Sequence, residues 1–299
     1  MNPHLSVNPL TDLHQLLVYP FMVNALEAGT IVAVMASVTG WFMVLRRETF
    51  AGHTLSVMSF PGASAAALAG VSLSLGYFSF CILGALLIAA SSRSAGRRNA
   101  AQESAVIGSV QAGGFALGFL FLSLYGGILT NLEELLFGSF LGITTSQVDT
   151  LAAITVGVLV FFAFAGRPLL YASIDELAAS ARGVPVGALH VAFLLVLGLA
   201  VAATAQITGV LIVFALLVAP AAAAQQLTAR IPLSLALTVI FALAIVWVGL
   251  TLAYFGTYSL GFYVSTIAFA LFVACRGGRA LARRLGQRAA RPTAATATA

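Results

Sequence analysis

The chain has 299 residues, of which 61% are hydrophobic and 8% charged, and its formal net charge is +5. A soluble domain carries about a quarter charged residues, so this composition excludes an ordinary soluble globular protein and predicts an all-α polytopic membrane protein. Every basic residue is Arg, and we attribute the positive balance to membrane topology rather than to nucleic-acid binding.

Nine apolar stretches follow one another along the chain. A helix needs about 20 apolar residues to cross the hydrocarbon core, and several of these stretches are shorter than that. The predicted spans are 23–45, 55–75, 77–90, 105–124, 151–165, 191–205, 210–224, 234–254 and 261–275. Residues before the first span include no basic residue, so the start of the chain does not resemble a cleaved signal peptide.

The Arg residues test this count, because they fall in five groups with two predicted spans between successive groups. The groups are 46–47, 93–98, 167–182, 230 and 276–291. All five therefore lie on one side of the membrane, which the positive-inside rule makes cytoplasmic. This topology predicts an external N-terminus, a permease domain over residues 1–275 and a basic, partly disordered cytoplasmic tail over residues 276–299.

The one long external connection, residues 125–150, contains apolar residues at helical spacing. They are Leu132, Leu135, Leu136, Phe140 and Leu141. This pattern predicts an amphipathic helix at the outer interface. Such a helix would either rest in the interface or form part of an outer gate.

A polar interruption, "YASIDELAASARGVPVGALH", separates the fifth and sixth spans. It reads as a complete short helix: a Ser-x-x-Glu capping box, a second carboxylate suited to the helix N-terminus, alanines in the middle, then a Gly C-cap and a Pro stop. These residues are Ser173, Asp175, Glu176, Ala179, Gly183 and Pro185. The segment is either a well-capped surface loop or a helix that docks on a partner.

Four stretches in this order resemble the permease subunits of zinc/manganese-type ABC importers, which belong to the type II importer class. They are "VLRRETFAGHTLSVMSFPG", "LEELLFGSFLGITTSQV", "SIDELAASARGVPVGAL" and "QITGVLIVFALLVAPAAAAQQL", and the resemblance covers about residues 26 to 274. It implies that the segment near residues 173–190 forms the coupling helices that dock on a separate ATPase. It also implies an extracytoplasmic solute-binding protein and a permease homodimer in the lipid of a prokaryotic cell membrane.

The sequence agrees with a separate ATPase, because it contains no Lys. A phosphate-binding G-x-x-x-x-G-K-[ST] loop is therefore impossible in these residues. We expect this chain to bind no cofactor of its own, with ATP used by the partner subunit. An ATP-independent carrier would leave the coupling segment unexplained, and no H-E-x-x-H motif or clustered acid–base group supports a membrane-embedded enzyme.

The substrate path is where the chain departs from the family pattern. That pattern reads G-D-T-L-x-H in the second span, whereas this chain has "GHTLSV", which places His53 at the Asp position and Val57 at the His position. The fourth span usually supplies a further His, and here Gln111 and Ala112 stand near that place.

Ionisable residues in or beside spans are candidates for function, and imidazole and carboxylate are ligands of zinc and manganese. We therefore predict a transport path that includes His53, Ser56, Glu103 and Gln111, with His53 and Glu103 as the metal-contacting residues. Three alternatives stay open: a weak, transient path for a free ion, a relative that moves a chelated metal or another small solute, and a His53 that only caps its helix.

Overall fold

The computed structural model of the protein describes residues 18–93, 100–126 and 142–289. Over these residues the chain forms ten α-helices and no β-strand. The helices are α1 (Pro20–Leu45), α2 (Thr49–Ala69), α3 (Leu73–Arg93), α4 (Ala100–Tyr125), α5 (Thr145–Ile174), α6 (Glu176–Ala181), α7 (Val186–Thr208), α8 (Val210–Leu227), α9 (Ile231–Phe255) and α10 (Leu260–Ala289). The predicted all-α class is confirmed.

Nine long helices correspond one to one with the nine predicted spans, and α6 is the short helix between the fifth and sixth. Seven of the nine are long and apolar enough to cross a membrane. The other two are α2, which is rich in Ser, Thr and Gly, and α8, whose apolar part is short. Both contain an internal proline, Pro61 and Pro220 respectively. Both helices continue through their prolines, which membrane helices tolerate where the freed backbone groups are buried in protein.

Two predicted boundaries were wrong. The second span was placed at residues 55–75, but α2 runs from Thr49 to Ala69, and its C-cap Gly70 has a φ of +68°, a left-handed conformation that favours glycine. The fifth span was placed at residues 151–165, whereas α5 runs from Thr145 to Ile174 and continues through Pro168. The hydropathy pattern misplaced the ends of both helices, because the run of apolar residues does not begin and end at the same positions as the helix.

The predicted boundary between permease domain and tail is not marked by a helix end. The last helix, α10, continues through the basic segment to Ala289. Residues 290–299 lie outside the described part of the chain, as does most of the predicted outer amphipathic helix. Where description resumes, Thr144 and Gln147 form a capping box that begins α5.

The core is built around α1, α7 and α8. Helix α1 packs against α5, α7, α8 and α9, and α7 in turn contacts α2, α3 and α5. Glycines allow the closest approaches: a Cβ on Gly40 of α1 would collide with the carbonyl of Leu217 on α8, and Gly62 of α2 faces Gly76 of α3 backbone to backbone. Small residues at such contacts are the usual means of packing membrane helices.

The end of α1 and the starts of α2 and α7, which the predicted topology places on one side of the membrane, lie close together. The α1–α2 turn contacts the start of α7 through Glu48 and His190. At the opposite end, the side-chain amide of Asn24 on α1 donates to the carbonyl of Ile143 at 3.0 Å. Which end faces the cytoplasm stays a prediction from the Arg distribution.

Candidate substrate path and coupling segment

His53 lies in the second turn of α2, where it faces α8. Its ring meets the ring of Phe214 edge to face, with 4.8 Å between the centroids. Its Nδ1 is buried and has no hydrogen-bond partner among the described residues. Glu48 is the N-cap of α2, so the alternative that His53 caps this helix is wrong. An imidazole with a free nitrogen is able to coordinate a cation.

A neutral polar pair lies next in sequence to His53. The hydroxyl of Thr54 donates to Oε1 of Gln111 at 3.2 Å, which joins α2 to α4. Thr54 is fully buried. Sequence reasoning identified Gln111 but missed Thr54, and the usable signal was that a buried hydroxyl inside the membrane needs a partner.

Ser56 is buried, and its hydroxyl donates to the carbonyl of His53 at 2.7 Å. It therefore has only acceptor capacity left for a passing cation. Glu103 lies in the first turn of α4, but its side chain is outside the described atoms, so its contact with the path stays a prediction. The described residues include no group of three or more His, Cys, Asp or Glu that could hold a metal ion.

At the other end of the bundle, an apolar pocket lies between α1, the α7–α8 junction, α9 and α10. Ile143, Ile207 and Leu260 help to line it, and Thr208 is its one polar lining residue. With no charged or imidazole group in its lining, this pocket offers no strong ligand to a cation. The polar part of the candidate path is therefore the region around His53.

The coupling segment is a capped helix, but Asp175 caps it rather than Ser173. Asp175 has extended backbone angles, and its Oδ1 accepts a hydrogen bond from Ala178 N at 2.9 Å. Ser173 still belongs to α5, where its hydroxyl donates to the carbonyl of Leu169 at 2.6 Å. The predicted Ser173–Glu176 capping box was therefore wrong, because α5 extends far enough to include Ser173.

The predicted C-terminal end of this helix is confirmed. Gly183 has a φ of +82°, and its N donates to the carbonyl of Ser180 at 2.9 Å. Val184 N donates to the carbonyl of Ala179 at 3.1 Å, which completes a Schellman motif. Pro185 follows and is the N-cap of α7. The result is a short helix joined to the next long helix by a hydrogen-bonded turn.

All residues of α6 except Ala179 are exposed, including Ala178 and Ala181. Leu177 is 75% exposed, and Glu176 and Ser180 are exposed beside it, whereas Ala179 is 2% exposed. Ala179 is therefore the buried residue of a helix that contacts α5 and α7, and the surface open to a partner is Glu176, Leu177, Ala178, Ser180 and Ala181. The coupling role of these residues and of Asp175, Gly183 and Pro185 stays a prediction.

Three side chains join the start of α7 to the α1–α2 turn. Glu48 Oε1 lies 2.8 Å from Arg46 Nε and 3.3 Å from His190 Nδ1. Arg46 Nη2 also lies 3.2 Å from His190 Nδ1, and the guanidinium stands over the ring of Phe193, 5.0 Å from its centroid. We call Arg46, Glu48 and His190 the charged cluster. His190 was not among the site residues predicted from the sequence.

Over the described residues, the fold is a membrane bundle of nine long helices with one short capped helix between the fifth and sixth of them. The family model described as the ABC 3 transport family matches residues 18–276, and the chain belongs to this family. It is therefore a multi-pass protein of the cell membrane.

Three comparisons illustrate the relationship. The manganese transport system membrane protein MntC of Halalkalibacterium halodurans is 31% identical over 76% of this chain and 76% of the relative. The chelated iron transport system membrane protein YfeD of Yersinia pestis is 30% identical over 68% of this chain and 66% of the relative. The solved structure of PsaBC from Streptococcus pneumoniae in complex with Fab superposes with a TM-score of 0.78 at 24% identity, covering 90% and 95% of the two chains, which shows a shared fold.

Proposed function

We propose that this chain is the transmembrane permease subunit of an ABC importer for divalent transition metal ions, zinc or manganese. The observation that carries the proposal is α6, an exposed helix capped at both ends, in a chain of the ABC 3 transport family. Its exposed residues, Glu176, Leu177, Ala178, Ser180 and Ala181, offer a small docking surface. A docked ATPase would move α6, and the hydrogen-bonded turn at Gly183 would pass the motion to α7.

The partners follow from this role. A separate ABC ATPase would hydrolyse ATP, since the sequence has no Lys for a phosphate-binding loop. A solute-binding protein would deliver the ion from outside, and two copies of the permease would stand side by side in the lipid. This chain itself would bind no cofactor.

The small number of ligands along the candidate path favours weak binding of the ion. His53 offers one imidazole nitrogen, and Ser56 and Gln111 add neutral oxygens. A path must hold its ion loosely enough to release it, so few ligands are compatible with transport. Selectivity would then reside in the external binding protein. The name of the manganese relative supports the choice of ion.

A chelated metal is the second candidate. It is favoured by Val57 and Ala112, which stand where the family pattern has histidines, and by the relative named for chelated iron transport. A bulky chelate would be recognised without direct ligands from the protein. An ATP-independent carrier has less support, because it would leave the capped helix without a role.

The class is tested by purifying the tagged chain from its own membranes in mild detergent. We expect an ABC ATPase to copurify and to hydrolyse ATP, and the variant Leu177→Glu, altered on the exposed side of α6, to lose it. Ala152, a half-buried residue on the long helix α5, provides a control as Ala152→Ser. A purified chain that supports transport with no ATPase would overturn the class.

A further inference from the structure

The charged cluster is buried to a degree that needs an explanation. The side chains of Arg46, Glu48 and His190 are only 9%, 12% and 20% exposed. Glu48 Oε2 and His190 Nε2 are buried and meet no hydrogen-bond partner among the described residues. Replacing a buried ion pair by apolar residues is often neutral or stabilising. Stability alone therefore does not account for the cluster.

The turn that presents Glu48 is strained. Arg47 has a φ of +60°, a left-handed conformation that is unfavourable for a residue other than glycine. Two Schellman hydrogen bonds hold it there, from Glu48 N to the carbonyl of Met43 at 3.0 Å and from Arg47 N to the carbonyl of Val44 at 3.1 Å. Strain of this kind persists where the surroundings over-determine the conformation. Its consequence is that Glu48 ends the turn as the N-cap of α2 while its carboxylate meets His190.

The charged cluster lies between the coupling segment and the helix that carries the candidate path. His190 lies in the second turn of α7, directly after the turn that ends α6. Phe193, under the Arg46 guanidinium, is one turn further along α7 and fully buried. On the other side, Glu48 begins the helix that carries His53.

The imidazole keeps this connection in either tautomer. With a proton on Nδ1, His190 donates to Glu48 Oε1, and without one it accepts from Arg46 Nη2. The last turns of α1, whose C-cap is Arg46, are also joined to α8, because the side-chain amide of Gln225 donates to the carbonyl of Trp41 at 3.0 Å. A displacement at the start of α7 can therefore be transmitted to α1 and α2 through these polar contacts.

We propose that Arg46, Glu48 and His190 are positioning residues that couple the docking helix α6 to α1 and α2. ATPase-driven displacement of α6 reaches the α1–α2 turn through the cluster and shifts the start of α2, on which His53 lies. This inference rests on the proposed function, because it requires an ATPase docked on α6.

The test is hydrogen exchange of the purified permease, compared with and without its ABC ATPase subunit bound. In the wild-type protein, we expect ATPase binding to change amide exchange both in residues 176–190 and in residues 46–52. In Glu48→Gln, the change in residues 176–190 should persist and the change in residues 46–52 should be lost. His190→Gln should behave in the same way, which keeps the test available if one variant fails to fold.

Glu27→Gln is the matched control, because Glu27 is an exposed carboxylate elsewhere on α1, and it should retain both changes. A response in residues 46–52 that survives in Glu48→Gln and His190→Gln would overturn the proposal. So would a wild-type protein that responds only in residues 176–190. An ATPase that does not bind the wild-type chain at all would contradict the proposed function, and with it this coupling route.

Discussion

At the scale of single residues, His53 is the group on which the metal path depends most. Its buried Nδ1 is without a partner among the described residues, and its ring is held by Phe214. We expect His53→Ala to lower metal uptake about tenfold, corresponding to about 1.4 kcal/mol of lost interaction. Uptake by cells that produce equal amounts of each variant measures the effect.

The control for His53 is Phe214→Leu, which removes the ring contact but keeps the imidazole. It should retain most of the uptake. Equal losses in the two variants would mean that His53 acts through packing against α8, and wild-type uptake by His53→Ala would place the route elsewhere.

The Thr54–Gln111 pair gives a second prediction at the residue scale. Thr54→Val leaves Oε1 of the half-buried Gln111 without its donor, and the loss should not exceed about 1–3 kcal/mol, the cost of a fully buried polar group without a partner. Replacing both residues, as Thr54→Val with Gln111→Leu, removes the mismatch and should restore much of the thermal stability. Melting of the detergent-purified variants provides the measurement. A double variant less stable than Thr54→Val would show that the hydrogen bond of 3.2 Å is not what couples α2 to α4.

At the scale of elements, α6 is the helix that a single substitution disrupts most easily, because it has only six residues. Ala179 N donates to the carbonyl of Asp175 at 3.0 Å. A proline there removes this bond, and an interior proline costs a helix about 3 kcal/mol. We expect Ala179→Pro to abolish ATPase binding and uptake while the chain still inserts into the membrane.

Glu176 provides a proline control for the same helix. It is the first helical residue, where proline is tolerated, and Asp175 before it is already extended. Glu176→Pro should therefore preserve α6, and Glu176→Gln accounts for the lost charge. If Ala179→Pro binds the ATPase as tightly as the wild-type chain does, α6 is only a connecting loop.

At the scale of the whole molecule, the Arg groups predict the orientation of the bundle. Reporter fusions at Val71, in the α2–α3 turn, and at Ala299 should report opposite sides of the membrane, with Ala299 in the cytoplasm. The α2–α3 turn is used because α2 ends at Ala69 and α3 begins at Leu73. Reports from the same side would contradict the nine-span topology.

The sequence predicted the number and order of the long helices, because the hydrocarbon core of the membrane requires long apolar runs and the Arg groups fall in the connections on one side of it. It predicted the C-terminal end of α6 because the conformation at Gly183 strongly favours glycine. It misplaced the start of α6 at Ser173, since a capping pattern does not show how far the preceding helix extends. It missed Thr54 and the charged cluster, because both are contacts between residues far apart in the chain.

The central claim is that this chain passes a divalent transition metal ion through the membrane when a partner ATPase acts on α6. It is tested most directly by manganese and zinc accumulation in a strain that lacks the native gene and carries either the wild-type chain or Ala179→Pro. We expect the wild type to restore accumulation of at least one metal and Ala179→Pro to restore neither. Accumulation of neither ion by the wild type, with the protein present in the membrane and its ATPase active, would contradict the claim and favour a chelate or another solute.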